Sequence, residues 1–176
     1  MKSKFFKNNN LILICGPTAV GKSDLASQIA KTINGEIINA DSMQVYKYFN
    51  ILTSQPSIQQ KKNVNHHLYS YVDINKKFSA AQWLKDANIA IKKILKKEKT
   101  PIVVGGSGLY TEFLLSGINL IPKISSEVRK KIEQDINEFG LETLYRKLLK
   151  IDPKYATKIS PNDRQRVVRS LEVYYQ

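Results

Sequence analysis

A glycine-rich loop near the start of the chain constrains the fold more than any other feature of the sequence. The apolar run LILIC at residues 11–15 is followed by GPTAVGKS, which fits the pattern G-x-x-x-x-G-K-[ST], and helical spacing begins after it. Backbone N–H groups of such a loop bind phosphate oxygens, and the N-terminus of the next helix adds partial positive charge. The sequence therefore predicts a buried parallel strand that ends in a small buried residue, Cys15, followed by a phosphate-binding loop and a helix.

Every residue of this loop belongs to the predicted phosphate site. Lys22 supplies a full positive charge, and the Ser23 hydroxyl is placed to hold Mg²⁺, the one cofactor that the sequence predicts. A loop of this kind serves many reactions, so the motif alone does not identify the chemistry. The residues assigned to phosphate binding are Gly16, Pro17, Thr18, Ala19, Val20, Gly21, Lys22 and Ser23.

Strands and helices alternate through the first two thirds of the chain. The stretches EIIN at 36–39 and PIVV at 101–104 are predicted strands, and helices are predicted to begin near Lys22, after Ser79 and near Leu109. This alternation is typical of a doubly wound α/β fold on a parallel sheet. We expect a P-loop-type α/β core over residues 1–118, and an incomplete one, because three strands make a small sheet for this class.

After Gly117 the pattern changes to helices alone. Apolar stripes at helical spacing precede Gly140, follow it, and recur in a last helix for which Asn162 is the predicted cap. Residues 119–176 are therefore predicted to form an all-helical appended segment. The last stripe still runs at Tyr175 with no stop signal after it, which predicts a chain truncated at its C-terminal end.

Apolar residues at helical spacing also predict which helix faces are buried. In the first helix these residues are Leu25, Ile29 and Ile33. In the last helix they are Val168, Leu171 and Tyr175.

The charge of the chain favours a polyanionic partner. The formal net charge is +13, from 28 Lys and Arg against 15 Asp and Glu, and an excess of this size is typical of nucleic-acid-binding proteins. Arginine binds phosphate with a rigid fork, unlike lysine, so its positions indicate the contact surface best. All five arginines lie in the last third, which we predict to contact the polyanion: Arg129, Arg146, Arg164, Arg166 and Arg169.

The composition indicates a cytoplasmic protein. A single cysteine excludes an internal disulfide, and no run of about 18 apolar residues is long enough to span a membrane. The N-terminal MKSKFFKNNN has neither an apolar stretch nor a cleavage site, so we read it as a frayed leader rather than a signal peptide. We expect a monomer without a membrane partner.

An acidic residue is missing where nucleotide-splitting enzymes usually have one. Such enzymes end an apolar strand with an acid that orients Mg²⁺ and water, but Gly105 and Gly106 follow PIVV. The acid instead follows EIIN, at Asp41, and the carboxyl ends of parallel strands meet at one edge of the sheet. We therefore predict that Asp41 acts as a base near the bound phosphates, rather than only as a turn or capping residue.

Four stretches behind the loop come in the order of a known family. They are DSMQVY from Asp41, HHL from His66, GGSGLY from Gly105 and NDRQRVVRSLEVY from Asn162. Together with the phosphate loop they closely resemble the tRNA dimethylallyltransferases, also called tRNA isopentenyltransferases. The resemblance covers residues 11–176, with Ser107 where the family usually has threonine.

The resemblance implies transfer of a dimethylallyl group from dimethylallyl diphosphate to N6 of adenosine 37, in tRNAs that read codons beginning with U. The phosphate loop then holds the diphosphate of the donor rather than ATP. Asp41 would accept the proton of N6, and Lys22, Ser23 and Ser107 would complete the catalytic set. The implied partners are dimethylallyl diphosphate and the anticodon stem-loop of tRNA.

The resemblance also implies a set of tRNA contacts. Spacings of three and four residues place Gln165, Arg166 and Arg169 on one helical face, for which a solvated face with an Arg169–Glu172 pair is the alternative. Gln44, which can both donate and accept hydrogen bonds, is placed to read the edge of the adenine or of its neighbours. The implied contacts are Asp41, Ser42, Met43, Gln44, Ser107, Arg129, Gln165, Arg166, Val167, Val168 and Arg169.

Other functions remain open at this point. The same loop suits a small-molecule or nucleotide kinase that binds ATP with Mg²⁺. Transfer of the dimethylallyl group to free adenine nucleotides is a further possibility, although such a substrate needs no arginine-bearing helices. A third possibility is an inactive remnant that still binds RNA. Members of the family that the chain resembles continue past the position of residue 176, so the chain would lack part of the family's structure.

Overall fold

The computed structural model describes residues 11–118, 121 and 123–176, so the predicted leader lies outside the described residues. The chain divides into two compact units, the first ending at residue 118 and the second beginning at residue 119. None of the helices in the described ranges is long and apolar enough to cross a membrane.

A parallel sheet forms the centre of the first unit. Its strands in the described residues are β1 (Ile12–Cys15), β2 (Gly35–Asn39), β3 (His66–His67) and β4 (Thr100–Gly105), in the spatial order β1-β4-β2-β3. Each neighbouring pair is parallel. The three predicted strands are confirmed, and β3 was not predicted because two residues are too few to show a periodicity.

Helices cover both faces of this sheet. They are α1 (Lys22–Thr32), α2 (Ile58–Asn63), α3 (Ala80–Leu95) and α4 (Gly108–Ser116). Successive strand residues point to opposite faces, so Ile37 packs in the cluster with α1, whereas Ile38 packs with α3 and α4. The predicted doubly wound α/β fold is therefore confirmed.

The prediction that Cys15 is buried is wrong. Cys15 is exposed, because β1 is an edge strand of the described sheet and its last residue leads out into the phosphate loop. The other residues of β1 are only half-buried for the same reason.

The buried face of α1 is also displaced by one residue from the predicted stripe. Ala26 and Ala30 are buried, whereas Leu25 is 50% exposed and Ile33 is 39% exposed. The helix lies close to the sheet: a Cβ built on Gly35 of β2 would come within 3.3 Å of the Ala30 Cα. Only small side chains fit at such a contact, so the bulky residues lie beside it.

The second unit consists of helices in its described residues. They are α5 (Ser126–Ile151), α6 (Pro153–Ala156) and α7 (Arg164–Tyr175), and α5 is interrupted at Gly140, where φ is 76°. This left-handed conformation is one that glycine adopts without steric cost, which is why Gly140 ends the first apolar stripe. The core is formed mainly by Ile132, Leu144, Leu148, Val167 and Leu171.

The cap of α7 is one residue later than predicted. Asp163, not Asn162, is the N-cap, and its side chain accepts a hydrogen bond from the Arg166 N–H at 3.0 Å. The buried face of α7 contains Val167 and Leu171, whereas Val168 is half-buried and Tyr175 is exposed.

Candidate active site

The phosphate loop connects the end of β1 to α1. Gly21 is the N-cap of α1 with φ 80°, a left-handed conformation that lets the loop turn directly into the helix. The Lys22 Nζ donates a hydrogen bond to the Pro17 carbonyl oxygen, which folds the lysine back over its own loop. Ser23 follows in the first turn of α1, where the helix N-terminus carries partial positive charge.

A cavity of about 380 Å³ lies beside this loop at the carboxyl edge of the sheet. It brings Lys22 and Ser23 together with Asp41, which follows β2. Gly16, Pro17 and Val20 do not line it, although they belong to the predicted phosphate site. The lining residues are Thr18, Ala19, Gly21, Lys22, Ser23, Asp24, Asp41, Gln44, Thr53, Ser54, Gln55, Pro56, Gln60, Tyr69, Val104 and Gly105.

The turn that carries Asp41 is held by a buried amide. Asn39 is fully buried, and its Oδ1 accepts a hydrogen bond from the Asp41 N–H at 2.9 Å. Its Nδ2 donates to the carbonyl oxygens of Asp41 and Leu68, both at 3.0 Å. The Asp41 Oδ1 accepts the Met43 N–H at 2.8 Å, so one carboxylate oxygen stabilises the turn. The backbone of the candidate base is therefore fixed from inside the protein.

Ser107 holds the same turn from the other side. Its Oγ accepts the Ser42 N–H at 2.8 Å, and its own N–H donates to the Ala40 carbonyl oxygen at 3.2 Å. Ser107, Ser42 and Met43 do not line the cavity, although all three belong to the predicted tRNA contacts. The Ser107 hydroxyl thus positions the turn in this structure.

Gly105 allows β4 to approach this turn. A Cβ built on Gly105 would lie 2.1 Å from both the carbonyl carbon and the carbonyl oxygen of Ala40, so no side chain fits there. The glycine that stands in place of the usual acid therefore has a steric role beside the Asp41 turn.

Another part of the cavity wall comes from the loop that precedes α2, which contributes Thr53, Ser54, Gln55 and Pro56. The Gln44 Nε2 donates to the Thr53 carbonyl oxygen at 2.8 Å, and the Gln55 Nε2 donates to the Gln44 carbonyl oxygen at 3.0 Å. The Ser70 hydroxyl donates to the Gln55 Oε1 at 2.6 Å. Gln44 lines the cavity, but the nitrogen of its side chain is already hydrogen-bonded to the loop.

Gln60 and Tyr69 are lining residues that the sequence analysis missed. Ser57 and Gln60 form a capping box at the start of α2, a spacing that is legible in the sequence, and the Gln60 Nε2 also donates to Asp24 at 3.2 Å. Burial, and then the charge of Asp41, raise the pKa of the Tyr69 hydroxyl. Tyr69 therefore remains a neutral donor beside the cavity, with nothing in the sequence to mark it.

His66 and His67 make structural hydrogen bonds. The His67 Nε2 lies 2.7 Å from the Oε2 of Glu36, and His66 contacts the Val64 carbonyl oxygen. Burial alone would raise the pKa of Glu36, but hydrogen bonds from Asn65, His67, Lys99 and Lys97 lower it to about 2. Within the described ranges no cluster of three or more His, Cys, Asp or Glu is arranged to hold a metal ion.

In the helical unit, the predicted RNA-contacting residues differ in exposure. Gln165, Arg166 and Arg169 are exposed on α7. Val167 is fully buried in the core of this unit, so its predicted contact with tRNA is incompatible with the position of its side chain. Val168, which was also predicted to contact tRNA, packs partly against the same core.

Every arginine of the helical unit lies next to a carboxylate. Arg166 pairs with Asp163 at 3.0 Å, and Arg169 pairs with Glu172 at 3.0 Å. Arg129, from α5, approaches the other oxygen of Glu172 at 3.7 Å. The remaining pairs are Arg146–Glu142 and Arg164–Glu133.

The fold and the cavity define an α/β protein of the P-loop type, with a phosphate loop and a carboxylate at one edge of a parallel sheet. A family model described as IPP transferase matches residues 44–176. The chain therefore belongs to the IPP transferase family.

Curated relatives carry the name tRNA dimethylallyltransferase. The one from Pelagibacter ubique is 52% identical over 167 residues, which is 95% of this chain and 53% of that protein. The one from Rickettsia canadensis is 45% identical over 170 residues, or 97% of this chain and 52% of that protein. The chain thus spans about half the length of these relatives.

Solved structures give the same result. A eukaryotic dimethylallyltransferase acting on tRNA is 36% identical and superposes with a TM-score of 0.82. The match covers 95% of this chain and 42% of the eukaryotic chain. The tRNA isopentenylpyrophosphate transferase from Bacillus halodurans is 38% identical with a TM-score of 0.63. That match covers 96% of this chain and 56% of the Bacillus halodurans chain.

Proposed function

We propose that the chain transfers a dimethylallyl group from dimethylallyl diphosphate to N6 of adenosine 37, in tRNAs that read codons beginning with U. The observation that supports this most is the cavity shared by Lys22, Ser23 and Asp41. A phosphate loop alone suits many reactions, but a base facing the same cavity suits attack by a weak nucleophile at a carbon that bears a diphosphate.

The proposed reaction exchanges one bond for another. The N6 nitrogen forms a bond to the allylic carbon, the bond from that carbon to oxygen breaks, and the diphosphate leaves. Asp41 accepts the N6 proton on the carboxylate oxygen that does not bind Met43, because Oδ1 accepts the Met43 N–H. General-base help of this kind is worth roughly 10²–10⁴-fold in rate.

The leaving diphosphate is stabilised where its charge develops. The N–H groups of the loop, the N-terminus of α1 and the Lys22 ammonium all act on its oxygens. The Ser23 hydroxyl is a hard oxygen donor in the cavity, so it fits Mg²⁺, which prefers few protein ligands and takes the rest from phosphate and water. Mg²⁺ would neutralise part of the diphosphate charge there.

The RNA partner is proposed to be the anticodon stem-loop. The adenine must leave its stack to enter the cavity, which costs a few kcal/mol and less in a loop than in a duplex. Arg166, Arg169 and Arg129 are the proposed backbone contacts in the helical unit. The proposal takes the protein as a cytoplasmic monomer.

The kinase alternative finds no support, because the matched relatives and solved structures are tRNA dimethylallyltransferases and isopentenyltransferases. The eukaryotic neighbour is a dimethylallyltransferase acting on tRNA, and this supports tRNA as the acceptor proposed for this chain.

A direct assay tests the proposal. The chain is mixed with Mg²⁺, labelled dimethylallyl diphosphate and an anticodon stem-loop that contains adenosine 37. We expect label on the RNA, and nuclease digestion should recover it as the N6-modified adenosine. A stem-loop with guanosine at position 37 is the matched control, because it offers no N6 amine. RNA binding without any transfer of label would contradict the proposed activity.

A further inference from the structure

Among the residues that the structure describes, Glu172 is the one carboxylate that two of the candidate RNA-contacting arginines share. It lies on α7, three residues after Arg169, and its Oε2 accepts a hydrogen bond from that guanidinium at 3.0 Å. Its Oε1 lies 3.7 Å from the Nε of Arg129, which belongs to the first turn of α5. One carboxylate thus brings together two arginines that are 40 positions apart in the sequence.

The side chains of Glu172, Arg129 and Arg169 differ in how much of their surface is exposed. The Glu172 side chain is 13% exposed, whereas those of Arg129 and Arg169 are 56% and 46% exposed. The carboxylate is therefore largely shielded from water, whereas both arginine side chains stay accessible. Each guanidinium has five N–H donors, so a contact with one carboxylate oxygen leaves most donors directed to solvent.

We propose that Glu172 positions Arg129 and Arg169 as a paired contact for the phosphate backbone of RNA. This role rests on the proposed tRNA substrate and adds a residue that the sequence motifs did not assign. Without the carboxylate, two like charges would repel each other, and both long side chains would sample many rotamers. With it, their spacing and orientation are set before RNA binds, so less entropy is lost on binding.

This role and simple electrostatics predict opposite signs for one substitution. Removal of a negative charge from an RNA-binding surface should strengthen binding if only net charge matters. Glu172→Gln keeps the size of the side chain, but it puts an amide NH₂ against one of the two guanidinium groups. We therefore expect binding of the anticodon stem-loop to weaken by about tenfold, because two side chains lose their fixed orientation.

The experiment measures stem-loop affinity by fluorescence anisotropy without any prenyl donor. Glu142→Gln is the matched control, because Glu142 pairs with Arg146 on the exposed surface of α5, and its loss should leave affinity unchanged or raise it. Thermal unfolding of both variants checks that the helical unit is intact. Equal or tighter binding by the Glu172→Gln variant overturns the positioning role.

A double-mutant cycle provides an independent test. If Arg129 and Arg169 act on the backbone as a pair, the double alanine variant should lose less affinity than the product of the two single losses. In the Glu172→Gln background, the fold-losses in affinity caused by the two alanine substitutions should multiply. If the two fold-losses also multiply when Glu172 is present, the proposed pairing is overturned. Absence of prenyl transfer contradicts the proposed function alone, whereas absence of stem-loop binding overturns both proposals.

Discussion

In the α/β unit, the turn that carries the candidate base is fixed by hydrogen bonds with a buried amide, whereas in the helical unit the candidate RNA-contacting arginines lie on exposed helix faces and are held by ion pairs. Asp41 is held by the buried Asn39 amide and, through Ser42, by the Ser107 hydroxyl. Arg166 is held by Asp163 at the N-cap of α7, and Arg169 is held by Glu172 on α7. Proton transfer needs the acceptor itself in one fixed geometry, whereas an arginine held by a carboxylate still has other N–H donors open to a phosphate.

The largest expected effect tests the fixed geometry of the α/β unit. Asp41→Asn keeps the shape of the side chain but removes the base, so the transfer rate should fall by roughly 10²–10⁴-fold while affinity for RNA stays the same. The matched control is Asp24→Asn, since Asp24 lines the same cavity but is not assigned as the base. A similar loss in both variants, measured as single-turnover rates, would contradict the assignment of Asp41.

A second difference between the units concerns their response to acid. Glu36 is fully buried with a pKa of about 2, whereas the arginine-paired carboxylates of the helical unit are at least partly exposed. Because the folded pKa is below the unfolded value of about 4.5, Glu36 stabilises the fold above pH 4.5, and this contribution is lost as the pH falls toward 2. The loss amounts to about 3 kcal/mol for the α/β unit.

Urea unfolding as a function of pH measures this loss, and Glu36→Gln should lack that part of the pH dependence. An NMR titration of the Glu36 carboxyl group gives a second reading that needs no variant. A midpoint near 4.5 in the folded protein would contradict the burial argument.

A third prediction concerns the close contact between β4 and the Asp41 turn. Gly105→Ala should destabilise the protein by about 1–3 kcal/mol, because its Cβ would overlap the Ala40 carbonyl group. Gly108→Ala is the control, since nothing lies within 4 Å of a Cβ there, and it should be neutral or slightly stabilising. The midpoints of denaturant unfolding compare the stability of the two variants, and equal midpoints would disprove the steric role of Gly105.

The smallest expected effect belongs to the exposed helix face. Arg166→Ala should weaken stem-loop binding only a few-fold, without changing affinity for the diphosphate. The slope of the log binding constant against log salt concentration should become shallower by about one. Arg146→Ala removes the same charge from an arginine that pairs within α5. If both variants lose the same affinity, net charge rather than the α7 face determines RNA binding.

The loop, its helix and the position of Asp41 were predictable because they depend on local patterns. The G-x-x-x-x-G-K-[ST] pattern determines where α1 begins, and EIIN places Asp41 at the end of β2. The start of α3 was equally legible, since Ser79 accepts the Gln82 N–H at capping distance.

The errors came from information that a local pattern does not contain. Cys15 is exposed because β1 is an edge strand, and strand order depends on pairing across the whole sheet. Val167 and Val168 are adjacent valines in the last helix, and only the packing of α5 against α7 decides which is buried. The cavity lining from Thr53 to Pro56 depends on Gln44 and Gln55, which bond across a loop without periodicity.

The exposure of Cys15 has a practical consequence. It is the only cysteine of the chain, it lies directly before the phosphate loop, and it is in register with Gly105 of β4. A maleimide dye would therefore attach at one defined position without any engineered substitution. Its emission would report changes in the loop beside it, so the natural sequence already contains an attachment point for following ligand entry by fluorescence.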